Sequence, residues 1–284
     1  MERRENNRND RVEIAWSRLY NRIESEGLLP EQAAPRESHR FAYLGLAATF
    51  TILMVASVAL FKAFYSSTNE GEIHIVNSDQ NSAYVKVLED GSAVYLGSNA
   101  TLSLPNHFGK MRRVTKLRGD AFFEIERSPS RPFVIETDLV KVEVLGTSFS
   151  VTQSSVSVRT GKVRVWLKRD GSEVTLKAGE GVNFDKDKIE KRPVSISASQ
   201  FDRYTGKIHF KDEKLSEVVK ILNRNLSKGG SKESILIDKT LDNRLVTATF
   251  SNETTLSCAR MICIALGLEY NVSPSGNIQI YKAQ

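Results

Sequence analysis

The 284-residue chain has only two cysteines, Cys258 and Cys263. If they share a helix, five residues apart, they point about 140° from each other and lie beyond disulfide reach. No disulfide framework and no zinc spacing is present, and both read as small buried apolar residues. Histidine is scarce too. His39, His74, His107 and His209 are far apart in sequence, with no ligand or triad spacing. The chain has no G-x-S-x-G elbow, no Walker A loop and no H-E-x-x-H helix. The sequence therefore predicts no enzyme: no catalytic residues, no metal site and no cofactor site.

Charge of one sign is not concentrated either. The net charge is +6. Residues 1–40 hold eight Arg and eight acids, so that piece is neutral. The surplus is spread along the rest of the chain as a solvated face, which argues against a nucleic-acid surface.

One long apolar run is present. Phe41–Phe61, FAYLGLAATFTILMVASVALF, carries no charge over twenty-one residues. As a helix it would be about 31 Å long, the thickness of a bilayer's hydrocarbon. Forty residues precede it and no A-x-A site follows, so it reads as a retained anchor, not a cleaved signal peptide. Arg22, Arg36 and Arg40 stand before it and Lys62 alone after it. That bias places the N-terminus in the cytoplasm. Four segments follow: 1–40, a membrane segment 41–65, 66–200 and 201–284.

In the first segment Asp10 can cap a helix starting at Arg11. Val12, Trp16, Leu19 and Ile23 fall at i, i+4, i+7 and i+11 and form one apolar stripe. Gly27 ends the helix, and Pro30 and Pro35 prevent its simple continuation. A lone helix of this size is marginal in water and has no second layer to pack on. It is either a frayed or membrane-surface helix, or one that docks in the groove of a cytoplasmic partner.

From residue 66 the period changes to two. Val85, Val87 and Val94, Leu96 flank the turn Asp90-Gly91. Short strands then recur about every ten residues up to Leu176, with no helical stretch. This predicts an all-β domain, a sandwich or a solenoid-like stack. The segments LEDGSAVYLGSNATLSLP (88–105), LRGDAFFEIERSPSRPFVIET (117–137), VEVLGTSFSV (142–151), VRTGKVRVW (158–166) and LKAGEGVNF (176–184) resemble, in order and spacing, the FecR domain of membrane-bound anti-sigma regulators. Ser150 stands where that family usually has Asn, and the stretch between Val151 and Val158 is short.

The resemblance implies an inner-membrane anti-sigma factor. Its cytoplasmic helix, with Val12, Trp16, Leu19 and Ile23, would bind an extracytoplasmic-function sigma factor. Its periplasmic part would receive a signal from the N-terminal signalling domain of a TonB-dependent outer-membrane transducer, and regulatory proteases would act in release. In some relatives a Gly-Thr bond breaks spontaneously, and here that bond is Gly146–Thr147. A tight bend between two strands is the preferred reading of that site.

Residues 201–284 change pattern again. FKDEKLSEVVKIL (210–222) parallels FSNETTLSCARMICIAL (250–266), each part of a β-α-β unit. This βαβ–βαβ repeat resembles the secretin/TonB short N-terminal domain. The usual Trp before its first strand is absent, and Phe201 or Tyr204 would fill that place. Gly206, Lys207 and the last strand, Asn277–Tyr281, are candidate edges for strand pairing with a partner. Two further readings stay open: a bitopic envelope scaffold, and an all-β glycan-binding protein, neither with a transcriptional role.

Overall fold

The computed structural model describes residues 2–27, Met54, Ser57, 72–110, 112–195, 199–228 and 230–282. They fall in two units, Met1–Tyr65 and Ser66–Gln284. Among the described residues no helix is long and apolar enough to cross a membrane. The run 41–61 expected to do so lies outside them, apart from Met54 and Ser57.

In the first unit, helix α1 runs Glu2–Ser25. It begins nine residues before the expected start, and Asp10 lies inside it and does not cap it. The reason is local. Residues 2–10 contain no Gly or Pro, and five of the nine are Glu or Arg, which are good helix formers. The expected stop is met: Gly27 takes φ +62°, and its N–H bonds to the Glu24 carbonyl.

The second unit opens as a β-sandwich, with no solenoid stack. Strands β1 (Glu72–Val76), β4 (Thr101–Pro105), β5 (Arg113–Arg118), β7 (Phe133–Glu136), β8 (Val140–Val144), β11 (Lys162–Leu167) and β12 (Glu173–Lys177) form one sheet, in that spatial order. The other sheet holds β2 (Ala83–Val87), β3 (Ala93–Leu96), β6 (Ala121–Glu124), β9 (Ser148–Val151), β10 (Ser155–Thr160), β13 (Glu180–Phe184) and β14 (Ile189–Pro193). Period-two strands from both sheets fill the space between them: Leu102, Leu117, Ile135, Val142 and Val165 from one side, Val94, Phe123, Phe149 and Val158 from the other.

The second sheet does not end there. Helix α2 (Ser199–Thr205) leads into β15 (Lys207–Lys214), which adds to β2 in parallel, pairing Ile208 with Ala83 and Phe210 with Val85. Strand β17 (Leu245–Ser251) then pairs with β15. The sheet reaches nine strands, in the order β14-β13-β10-β9-β6-β3-β2-β15-β17. Strand pairing thus runs through the expected boundary at residue 200.

Helices α3 (Leu215–Lys228) and α4 (Thr255–Leu266) cover the outer face of this sheet together with a small sheet of β16 (Ile235–Ile237), β19 (Ile278–Tyr281) and β18 (Glu269–Val272). The repeat is therefore β15-α3-β16 and β17-α4-β18, with β19 between β16 and β18.

The central sheet is thus buried on both faces. All four residues of β3 are buried, as are all four of β6. Val94, Leu96, Ala121 and Phe123 face the sandwich core, whereas Ala93, Tyr95 and Phe122 face the helical layer. Unbroken apolar runs such as AVYL and AFFE suit strands covered on both sides. Phe201 and Tyr204 of α2 close on Phe122, with centroids 5.7 and 6.1 Å away. Both are buried, and each contributes roughly 2 kcal/mol of apolar burial at the place where the repeat begins.

Candidate functional site

Three places carry the residues of interest. The first is the α1 stripe. Val12 is 50% exposed, Trp16 63% and Leu19 47%, and Ile23 is half-buried. Tyr20, at 63% exposed, borders the stripe, and Ile14 is exposed as well. Among the described residues the indole and the branched side chains beside it form an apolar stripe open to water. The helix has a stabilising ion pair near its end, between Arg22 and Glu26 at 2.9 Å. Its polar face is held by local bonds such as Ser17 Oγ to the Ile14 carbonyl, 3.0 Å.

The second is the Gly146–Thr147 bend, which joins β8 to β9. Gly146 has φ +151°, and a Cβ there would lie 2.6 Å from the Cα of Arg127. Only glycine fits. Thr147 is buried and exchanges backbone bonds with Ile125, at 3.0 and 3.3 Å. Its hydroxyl donates to the Lys162 carbonyl at 3.0 Å. Gly161, on the turn between β10 and β11, lies over the same bond: a Cβ on it would sit 2.9 Å from both the Gly146 oxygen and Thr147 Oγ1. For cleavage the Thr147 hydroxyl would attack the Gly146 carbonyl carbon, transfer its proton to the departing nitrogen, and leave an ester for water to open. Here the hydroxyl is engaged by a different carbonyl, on a bend braced from both sides.

The third is the polar clamp between the central sheet and the helical layer. Arg224 of α3 donates to Glu124 at 3.0 Å and to Glu126 at 3.4 Å. The Tyr95 hydroxyl donates to Glu124 at 2.9 Å. Burial, reinforced by the Glu124 carboxylate, holds the Tyr95 hydroxyl well above its ordinary pKa. Glu126 is reached by Lys220 of α3 at 3.6 Å, and its N–H bonds to Ser92 Oγ at 3.0 Å. Ser92 in turn bonds both oxygens of Asp90 in the β2–β3 turn. Asp90 also accepts from Arg113, which is 1% exposed and stacks 5.3 Å from the centre of Phe133.

Sequence reasoning missed this clamp and assigned every surplus cation to a solvated face. The correction concerns Arg113 above all. As the first residue of β5, it points inward with Thr115 and Leu117, a parity that the alternation of RVTKLR already contained.

The three candidate edges are corrected as well. Lys207 opens β15, which is enclosed between β2 and β17, and the last strand, Ile278–Tyr281, is enclosed between β16 and β18. Neither is an edge, because the sandwich supplies β2 as a neighbour and the repeat folds its final strand inward. Gly206 accepts from the Asn252 N–H at 3.0 Å and likewise offers no edge. On α4 both cysteines are buried as expected, and so are Ala259 and Ile262, whereas Leu256 is 42% exposed.

Two crystal structures of a candidate anti-sigma factor from Parabacteroides distasonis ATCC 8503, at 2.50 and 1.65 Å resolution, are similar to this chain. They show 24% and 25% identity, each over 75% of this chain and all of the other, with TM-scores of 0.44 and 0.43. None of the curated proteins matches. A family model does: residues 74–164, from β1 to the middle of β11, match the FecR protein family.

Proposed function

We propose that this chain is an anti-sigma factor of the FecR type. Helix α1 binds an extracytoplasmic-function sigma factor in the cytoplasm through Val12, Trp16, Leu19 and Ile23. The run 41–61 crosses the inner membrane once. The sandwich and the helical layer lie in the periplasm and read the state of a TonB-dependent outer-membrane transducer through that receptor's N-terminal signalling domain. The FecR match over 74–164 supports the regulator class. The observation that carries the reading is the α1 stripe: three large apolar side chains, about half exposed or more, on a helix with no described second layer. A groove on a partner supplies the missing layer. Its output is sequestration or delivery of the sigma factor, and signal crosses the membrane by release or proteolysis.

The test is co-purification from native membranes. Trp16→Asp places a charge at the centre of the stripe without touching the helix backbone. It is expected to abolish recovery of the sigma factor, while Ser17→Asp on the other face leaves recovery unchanged. Recovery of the sigma factor with Trp16→Asp at wild-type yield would sink the assignment.

A further inference from the structure

Strand β17 ends the nine-stranded sheet, with β15 as its one described neighbour. Its sequence, LVTATFS, holds no charge, no proline and no glycine over seven residues. The other edges are blunted or short. Strands β1, β12 and β14 carry Glu72, Glu173, Lys177, Glu190, Lys191 and Arg192, charges that protect an edge from pairing. Strand β16 has three residues, and β18 has four with Glu269 at its head.

The register fixes which backbone groups of β17 face outward. Before the strand, the Leu215 N–H donates to the Arg244 carbonyl at 2.7 Å; after it, the Asn252 N–H donates to the Gly206 carbonyl at 3.0 Å. Bonding alternates along an antiparallel strand. Val246, Ala248 and Phe250 therefore bond to β15, and Leu245, Thr247, Thr249 and Ser251 turn their N–H and C=O groups to the open side. The two threonine side chains do not cap them. Thr247 Oγ1 accepts from the Asp212 N–H at 3.0 Å, and Thr249 Oγ1 meets His209 Nδ1 at 2.9 Å, both on β15.

The outward residues are spaced symmetrically about Ala248, and the charges at the two ends select the occupant. A second β17 laid antiparallel on a two-fold axis at Ala248 sets Thr247 opposite Thr249 and Leu245 opposite Ser251. Every outward residue then meets an outward residue, in about eight hydrogen bonds. No like charges face each other, and threonine pairs are favourable. Leu245, at 57% exposed, gains cover. Exposed Arg244 precedes the strand and Glu253 follows it, so the same axis brings the arginine end of each copy to the glutamate end of the other. Parallel pairing would instead set arginine beside arginine and glutamate beside glutamate.

We infer that β17 is an isologous interface, at which two copies of this chain join edge to edge, antiparallel about Ala248. The joined sheet then runs through both copies. This goes beyond sigma-factor binding and does not rest on it. Seven residues a side fall short of the roughly 20–30 of a standard interface, so the dimer is weak and forms where the chain is concentrated.

The test uses the full chain in its host membranes as two differently tagged copies, one with Leu245→Cys and the other with Ser251→Cys. Both positions are exposed, and the native cysteines are buried. Opposed residues of a bonded pair lie about 5.5 Å apart, within disulfide range. Mild oxidation is expected to link the two tags. Two copies that both carry Leu245→Cys should not link, because the two-fold holds those positions six residues, roughly 20 Å, apart. Thr247→Lys with Thr249→Lys on both copies sets lysines opposite each other twice, and should lower the yield of the first link about tenfold. Lysines on one copy and glutamates at the same positions of the other should restore it, which a misfolded edge could not do. A link between two Leu245→Cys copies, or none between Leu245→Cys and Ser251→Cys, overturns the inference. So does a yield that ignores the lysines or stays low with the mixed charges.

Discussion

Arg224 on α3 and Glu124 on β6 meet at 3.0 Å, with the glutamate only 4% exposed and the arginine 28%. The pair joins the helical layer to the centre of the sandwich, a hundred residues earlier in the chain. A buried pair gains little over an apolar isostere, but removal of one partner strands the other. Arg224→Met is therefore expected to lower stability by about 3 kcal/mol, read as the urea midpoint of the unit Ser66–Gln284. Lys220→Met, at a pair half open to water, should cost less than about 0.5 kcal/mol. Equal effects of the two would show that the clamp is a surface contact.

A second clamp gives a pH dependence. Glu213 at the β15 bulge is 6% exposed and lies 2.6 Å from Lys86 on β2. Burial raises its pKa above the ordinary carboxylate value, and Lys86 opposes that rise only in part. A raised carboxyl pKa favours the protonated form in the fold. Its contribution is full below the ordinary Glu range and is lost as pH climbs through the raised value. Glu213→Gln cannot ionise. Relative to wild type the variant should become more stable as pH goes from 4 to 7. A difference that stays flat over that range would place the titration elsewhere.

Both cysteines are free and buried on α4. Burial pushes the Cys258 thiol up to about 11 and raises that of Cys263 as well. At pH 8 a thiol with a pKa of about 11 is ionised in roughly one molecule per thousand. Iodoacetamide should leave Cys258 unmodified in the native protein and label it fast in urea, as mass spectrometry of the tryptic peptide will report. Fast labelling at pH 8 without denaturant would mean that the helical layer opens readily.

The legible part of the fold was that with a clear period. The strands from Val85 to Leu176 alternate or run apolar, and the helix of the β-α-β unit read in FKDEKLSEVVKIL forms, with Leu215, Val218, Val219 and Leu222 buried and Leu226 partly so. Partner choice was not legible. Nothing in KIHFKDEK states that its neighbour will be β2, more than a hundred residues away, so the shared nine-stranded sheet and the true edges appear only in the structure. The polar clamp was hidden for a related reason. Arg113, Glu124 and Arg224 each look like ordinary surface charges until the layers that bury them are assembled. Glycines were more informative. GTSF marked the Gly146 bend correctly, because a backbone crossing this close to Arg127 leaves room for no side chain.

That bend yields the sharpest structural prediction. Gly146→Ala must place a Cβ 2.6 Å from the Arg127 Cα, a backbone atom that cannot rotate away, at a φ of +151°. The substitution should cost about 3 kcal/mol or more, because the strand extension Ile125–Ser128 has to move. Thr147→Ser keeps the hydroxyl that donates to Lys162 and should cost about 1 kcal/mol through the lost methyl group alone. Thr147→Val removes the hydroxyl and leaves the Lys162 carbonyl without that donor, for about 1–3 kcal/mol. Thr147→Val also addresses the bond itself. With the hydroxyl held by Lys162, the freshly made wild-type chain should run intact on a gel, and Thr147→Val should look no different. If wild type instead yields a fragment that starts at Thr147, and Thr147→Val does not, the hydroxyl leaves Lys162 often enough to attack Gly146, and the bend is a reaction site as well as a brace.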